Sequence, residues 1–164
     1  MPLSIRLRKI NSRSTREALT IGSIDQFQVQ PTFDSEARLA AYRDIMAIQS
    51  GTGGVAERNR SVRAQALENS AIVHDRTKDY ESAVEYPADE PLASSLKQCA
   101  QLITADLGVR AISVGYDGFD THAGQNDGAG DGQLGNHDFL LQSVSNAIGL
   151  FYADLAAHGV SNRV

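Results

Sequence analysis

The chain has 164 residues, a usual length for one domain, with 41% hydrophobic and 21% charged residues. This composition is that of a globular protein and excludes an intrinsically disordered one. The formal net charge is −5, and the one basic run is RLRKINSRSTR near the start. We therefore expect no nucleic-acid partner, because the rest of the chain would repel phosphate. No apolar run approaches the ~18 residues that a membrane span needs, and the opening Met1-Pro2-Leu3 lacks the pattern of a signal peptide.

Two regions precede the part of the chain with the clearest pattern. Residues 1–33 are weakly patterned, and the segments LSIRL and ALTIG alternate enough to predict short strands. Residues 34–85 are expected to be helical, with a first helix capped at Asp34 or Ser35 and stopped by the glycines of SGTGG. A second helix, from about Ala56 to Tyr80, has a weak apolar stripe and many Arg, Glu and Gln residues, which predicts a broad wet face.

Residues 86–164 are predicted to form a helix–strand–loop–helix core. Pro91 suits the first turn of a helix, and Gly108 suits its end. VRAISVGY (Val109 to Tyr116) is the best strand candidate, and a last helix is predicted from about Asn136 to His158. The apolar stripes of the two helices follow steps of three and four: Leu92, Leu96, Cys99, Ile103, Leu107; and Leu140, Val144, Ile148, Phe151, Leu155.

This order of elements predicts an α/β fold with a parallel sheet, mostly helical and with few strands. A parallel sheet is buried on both faces and needs several strands, whereas the pattern supplies one good strand. We therefore expect residues 1–164 to be one partial domain, an incomplete piece of a longer protein whose remainder is needed to complete the fold.

The loop after the predicted strand carries the residues whose side chains are best suited to catalysis or metal binding. In open α/β sheets, functional residues gather beyond the carboxyl ends of the strands, and Asp117, Asp120 and His122 hold that position. Carboxylate oxygen and imidazole nitrogen suit zinc, manganese or iron, so Asp120 and His122 are candidate metal ligands. The alternative is structural, since an Asp after a strand often caps a turn by accepting bonds from backbone N–H groups.

Other interpretations of the same loop fit less well. Asp127, Asp131 and Asp138 have the spacing of a calcium loop, but Ala129 fills a ligand position and the last ligand should be Glu. A Ser-His-Asp triad would need Ser113, which lies within the strand and lacks a nucleophile elbow. Structural roles account for the remaining candidates: an exposed first-turn His137, a His158 that interacts with the helix dipole, and a buried, unreactive Cys99.

Two long segments resemble a known bacterial family. YPADEPLASSLKQCAQLITADLGVRAISVGYDGFDTHAGQ and NHDFLLQSVSNAIGLFYADLAAHGVSNRV are similar to proteins grouped as domain of unknown function 1501. GFDTHAGQ and LLQSVSNAIGLFYADL are the most specific parts. These proteins resemble distant members of the alkaline phosphatase and sulfatase superfamily, so the resemblance implies a large α/β sandwich exported to the periplasm or cell surface.

The resemblance also implies a chemistry. In that superfamily, Asp and His side chains hold one or two divalent metals, which activate a nucleophile against a phosphate or sulfate ester. Asp120 and His122 match the family's Asp-Thr-His and would be metal ligands, with zinc, manganese or calcium as the candidate ions. Gln125 and His137 match recurring positions without a defined role. The family's nucleophile segment has no counterpart in this sequence.

Two functions are therefore expected. The first is a fragment of an exported metal-dependent hydrolase-like protein, acting on small-molecule or polymer phosphate or sulfate esters and inactive alone. The alternative is a non-catalytic surface binding or assembly module on the same fold.

Overall fold

The computed structural model describes residues 5–8, 18–21, 23–24, 35–48, 54–122, 125 and 135–164. These residues form four α-helices: α1, Ser35–Ala47; α2, Gly54–Thr77; α3, Pro91–Thr104; and α4, Asn136–Ala157. Three short strands also lie among them: β1, Ile5–Arg8; β2, Ala18–Ile21; and β3, Ala111–Ser113. A short 3-10 turn spans Ser161–Arg163. The described part of the chain is thus mostly helical, as predicted. β1 overlaps the predicted segment LSIRL and β2 lies within the predicted segment ALTIG.

The described strands form one antiparallel sheet in the order β2-β1-β3. β1 pairs with β2 through Ile5↔Ile21 to Arg8↔Ala18, and with β3 through Arg6↔Ser113 to Arg8↔Ala111. The prediction of a parallel sheet is wrong for these strands. β1 pairs with both of its neighbours in the antiparallel direction, so none of the three strands has a parallel partner to which a helix could cross over.

The chain divides into two compact units, one made of residues 1–22 with 79–164 and the other of residues 23–78. The predicted helical region 34–85 coincides largely with the second unit. In that unit α1 contacts α2, while Ile24, Ser70, Val73 and Thr77 are buried. The Thr77 hydroxyl donates to the Val73 carbonyl at 2.7 Å. The apolar positions that predicted α1 are largely exposed, with Tyr42 at 43%, Ile45 at 58% and Ile48 at 62%.

The core of the first unit lies between α3 and α4. Ala100, Leu102 and Leu155 are fully buried, and Cys99 is 3% exposed, as predicted for a core cysteine. Ile112 of β3 and Val114 just after it pack against the cluster of Cys99, Ala100, Phe151 and Leu155. Burial of these side chains supplies the main driving force for joining the two helices to β3.

Helix ends explain where the chain changes direction. α3 ends at Thr104, earlier than the predicted end near Leu107, because Asp106 already takes a left-handed φ of 51° before Gly108 does so at 68°. α4 ends at Ala157, and Gly159 follows with φ 69°. Glycine adopts this conformation without the steric cost that a Cβ imposes.

None of the helices in the described residues is both long enough and apolar enough to cross a membrane.

Candidate metal-binding loop

The segment after β3 runs to His122 and is fixed by contacts with the start of α4. Tyr116 and Phe119 pack edge to face with ring centroids 5.9 Å apart, and Phe119 packs on His137 at 6.2 Å. Gly118 has φ 104°, and an added Cβ there would lie 3.5 Å from a Leu140 methyl group. These contacts place the following residues beside the first turn of α4.

Asp120 lies at the apex of a tight turn. The Thr121 N–H donates to the Phe119 carbonyl at 3.0 Å, a three-residue turn centred on Asp120. His122 follows with a left-handed φ of 42°, a conformation that histidine adopts more often than most residues, though at a cost. The result is that the side chains of Asp120 and His122 lie on the same side of the turn and meet.

The two predicted ligands form a close, exposed pair. His122 Nε2 lies 3.1 Å from Asp120 Oδ2, and each side chain is 82% exposed. Within the described residues the carboxylate of Asp120 is bonded to His122 rather than to a backbone N–H, which disfavours the turn-capping interpretation. Two atoms that share a zinc ion at about 2.0–2.2 Å lie roughly 2.8–3.6 Å apart for bond angles between right-angled and tetrahedral values. The observed separation therefore fits a shared divalent metal.

The described residues bring no third ligand to this pair: among them no group of three His, Cys, Asp or Glu side chains is placed to hold a metal ion. Asp117 lies exposed on the same segment. Asp127 and Asp131, the other positions of the predicted calcium loop, lie outside the described residues. Asp138 has a different role, since its carboxylate accepts a hydrogen bond from the Gly135 N–H at 3.1 Å at the start of α4.

A cleft of about 450 Å³ adjoins the pair. It is lined by Gly118, Thr121, Asn136, Phe139, Leu140 and Ser143. Its volume lies within the ~300–1,000 Å³ typical of small-molecule sites. The Ser143 hydroxyl donates to Glu90 Oε1 at 3.0 Å, so a carboxylate lies next to the cleft. The Asp138 carboxylate accepts from the Gly135 N–H at the N-terminus of α4, and its negative charge there disfavours the binding of a phosphate.

The other sequence candidates have mixed outcomes. His137 is partly buried, unlike the exposed residue predicted, and its Nδ1 is buried without a hydrogen-bond partner in the described residues. Gln125 is exposed, and its carbonyl accepts a hydrogen bond from the His137 N–H at 3.2 Å. Ser113 lies within β3 as predicted. Burial raises the pKa of the Cys99 thiol to about 12, which agrees with an unreactive core cysteine.

The sequence interpretation missed a second acidic centre, on α4. Asp154 is fully buried, and its carboxylate accepts hydrogen bonds from the Tyr80 hydroxyl, the Tyr86 hydroxyl at 3.1 Å and the Ala83 N–H at 2.9 Å. His158 Nδ1 lies 3.2 Å from the same carboxylate, and its ring stacks on Tyr80 with centroids 5.3 Å apart. We call these residues the Asp154 cluster.

The hydrogen bonds of the Asp154 cluster fix its charge state. Burial alone would raise the pKa of Asp154, but the donors on Tyr80, Ala83 and Tyr86 together with nearby His158 lower it. Burial, followed by the bond to Asp154 and its charge, raises the pKa of Tyr80, and burial and the Asp154 charge raise that of Tyr86. The carboxylate thus stays ionised while the tyrosines stay protonated as donors.

One sequence signal could have revealed this cluster. Asp154 lies on the apolar stripe between Phe151 and Leu155, and an ionisable side chain on a buried stripe needs partners. Its partners are distant in sequence, with Tyr80 74 positions away, so no local spacing identifies them.

Comparisons with known proteins do not add a relative. The chain matches no family model, no curated protein and no solved structure.

Proposed function

We propose that Asp120 and His122 bind a divalent metal ion in a hydrolase-like protein acting on phosphate or sulfate esters. The observation that carries this proposal is the exposure of both metal-ligand side chains, each 82% exposed, where they meet next to a cleft of ligand size. We also propose that the protein belongs to the domain of unknown function 1501 family and that further polypeptide completes its fold as an α/β sandwich. Its proposed location is the periplasm or the cell surface.

The conformation of His122 supports a functional role for the pair. A left-handed φ at a residue other than glycine costs roughly 1 kcal/mol, and exposed side chains recover little of that cost through packing. Strained residues concentrate at functional sites, where the chemistry requires a particular side chain. Glycine would adopt this φ without that cost, but it would lack the imidazole.

Electrostatics predict that ester binding depends on the metal. The cleft lies near the carboxylates of Asp120, Asp138 and Glu90, in a chain of net charge −5. A phosphate ester dianion or a sulfate ester monoanion would be repelled by these groups. A divalent metal held by Asp120 and His122 would offset most of this negative charge and polarise a phosphoryl or sulfuryl oxygen. Thr121 would then orient the ester through a hydrogen bond from its hydroxyl, with Phe139 and Leu140 contacting its apolar group.

The test is titration of the protein with Zn²⁺ and Mn²⁺, followed by calorimetry and by the NMR signals of the His122 imidazole. We expect saturable binding that Asp120→Asn and His122→Gln each weaken about tenfold or more, because each removes one ligand. Asp117→Asn is the matched control, since it removes the same charge from the same segment without touching the pair. Equal binding by all three variants would contradict the metal site.

A non-catalytic binding module is the second candidate. It is favoured by the engagement of the Ser143 hydroxyl with Glu90, which gives the cleft a fixed hydrogen-bonding group rather than a free nucleophile. Because the first candidate is expected to be inactive alone, hydrolysis of 4-nitrophenyl phosphate or sulfate with metal distinguishes the two only in a longer protein that contains these residues. Metal-dependent turnover by that protein that is lost in His122→Gln supports the hydrolase, whereas metal-dependent ester binding without turnover supports the module.

A further inference from the structure

One polar atom of the cleft beside the metal-binding loop can only accept hydrogen bonds from a ligand. Ser143 lies on α4 and lines the cleft, and its hydroxyl contacts Glu90, with Ser143 Oγ and Glu90 Oε1 3.0 Å apart. A carboxylate has no hydrogen to donate, so the hydroxyl hydrogen of Ser143 is committed to this bond. Ser143 Oγ therefore offers the cleft lone pairs alone, and a ligand group that binds it has to be a donor.

The carboxylate behind this oxygen keeps its negative charge uncompensated in the described part of the chain. Glu90 is the residue before α3 and is partly buried. None of the ion pairs among the described residues includes it. The Ser143 hydroxyl is neutral and does not cancel the charge, so the potential at Ser143 Oγ is negative. Partial burial also reduces the screening of that charge by salt.

Apolar side chains form the wall of the cleft next to Ser143. Phe139 and Leu140 lie one turn before it on the same helix, so their side chains are its neighbours. Both line the cleft, and Phe139 is 56% exposed. The described residues that line the cleft include no Lys, Arg or His. The cleft thus combines an apolar wall with a negative, accepting group. A primary ammonium is the ligand group that carries both a positive charge and N–H donors.

We propose that the cleft binds a primary ammonium group, which donates to Ser143 Oγ next to the charge of Glu90. The apolar part of the same ligand lies against Phe139 and Leu140. This inference rests on the proposed function for the rest of the substrate: the ester is that of an amino alcohol, with its anionic end at the metal. The metal offsets most of the acidic charge near the cleft, and the ammonium offsets the remainder. Binding of the amine itself needs no metal, so the two proposals can be tested separately.

Ligand chemistry provides the first test, by NMR titration of the 164-residue protein in EDTA with benzylamine, benzyl alcohol and benzyltrimethylammonium. Benzylamine should shift the methyl signals of Leu140 and leave those of Ile45 and Ile72 unchanged. It should bind about tenfold more tightly than benzyl alcohol, because a charge-assisted hydrogen bond is stronger than a neutral one. It should also bind more tightly than benzyltrimethylammonium, which has the charge but no N–H donor.

Two results of this titration would overturn the proposal. Equal binding of benzylamine and benzyl alcohol would show that the charge of Glu90 does not act on the cleft. Equal binding of the two cations would show that Ser143 Oγ accepts no hydrogen bond from the ligand.

Substitution provides the second test. Glu90→Gln keeps an acceptor for the Ser143 hydroxyl but removes the charge, so the roughly tenfold preference for benzylamine over benzyl alcohol should largely disappear. Glu85→Gln is the matched control, since it removes the same charge from an exposed residue of the same loop that does not line the cleft. Ser143→Ala should weaken benzylamine binding about fivefold. A folded Glu90→Gln protein that keeps the full preference for the amine would overturn the proposal.

Metal titration separates this proposal from the proposed function. A saturable Zn²⁺ or Mn²⁺ site in a protein that does not bind benzylamine would overturn the amine site and leave the metal-dependent function standing. Benzylamine binding with the expected preference, in a protein without a metal site, would support the amine site and overturn the ester as its ligand.

Discussion

The molecule contains two Asp–His pairs of nearly equal separation in opposite surroundings. On the loop after β3, His122 Nε2 and Asp120 Oδ2 are 3.1 Å apart, and both side chains are 82% exposed. At the end of α4, His158 Nδ1 and Asp154 Oδ1 are 3.2 Å apart, with the side chains 22% and 0% exposed. The distance between the two groups therefore does not distinguish a binding site from a structural one.

The difference lies in what else the carboxylate does. Asp154 accepts hydrogen bonds from two tyrosines and a backbone N–H, so its charge is already compensated by neighbours that would be left unpaired if it were removed. Asp120 has one described partner, which it can exchange for a metal ion at little cost because water surrounds both groups. A buried pair of this kind is needed for the stability of the fold, whereas an exposed pair contributes little to stability and is available for binding.

The largest expected effect comes from removing the buried carboxylate. Asp154→Ala leaves the hydroxyls of Tyr80 and Tyr86 and the N–H of Ala83 without an acceptor, which should lower the free energy of unfolding by about 3–5 kcal/mol. Asp120→Ala is the matched control and should change it by less than about 0.5 kcal/mol. Urea denaturation followed by circular dichroism measures both. Equal losses in the two variants would show that the pairs do not differ as the structure indicates.

Acid titration should test the buried carboxylate in a second way. Because the pKa of Asp154 is lowered in the folded state, its stabilising contribution is complete above the unfolded pKa of about 3.9 and is lost as the pH falls through the folded value. Wild-type stability should therefore decline below about pH 4. Asp154→Asn should show a shallower decline. Parallel acid profiles for the two proteins would contradict this assignment.

How well the sequence predicts the fold depends on how far apart in the sequence the interacting residues lie. The stripes of α3 and α4 and their flanking Pro91 and Gly159 placed both helices within a few residues, because these signals are local. The strand predicted from Val109 to Tyr116 is observed for Ala111–Ser113, the three residues that pair with β1. The antiparallel direction also depends on β1, which lies about a hundred positions earlier, and no local pattern encodes it.

The same limit applies to the sites. Asp120 and His122 are two positions apart, so their spacing predicted that they could meet, and the structure brings them together. The buried face of α4 was predicted less well: Ile148 is 43% exposed, while Ala147 and Asp154 face the core. Apolar spacing favours large hydrophobic residues and overlooks an Asp whose donors come from a distant loop.

A smaller effect is expected from the donors of the Asp154 cluster. Tyr86→Phe removes one hydrogen bond to a charged group and should lower the free energy of unfolding by about 1.5 kcal/mol. Because the pKa of Tyr86 is raised in the folded state, its contribution is complete below the unfolded pKa of about 10 and is lost as the pH rises through the folded value. The difference between wild type and Tyr86→Phe should therefore shrink at alkaline pH. Tyr116→Phe, on the loop of the exposed pair, is the control and should leave stability nearly unchanged.

The smallest effect on stability, and the clearest separation of stability from binding, is expected at His122. Its φ of 42° is one that glycine adopts without strain, and its side chain is 82% exposed. His122→Gly relieves the backbone strain and loses almost no packing, while the added freedom of the unfolded chain opposes that gain. The free energy of unfolding should therefore stay within about 0.5 kcal/mol of wild type. Zinc binding should fall about tenfold or more, because the imidazole ligand is gone.

Thermal unfolding with and without Zn²⁺ measures both the stability and the zinc binding of His122→Gly, since an ion that binds only the folded protein raises the unfolding temperature. A variant that unfolds much more readily than wild type would show that His122 supports the fold, and undiminished stabilisation by zinc would place the metal elsewhere.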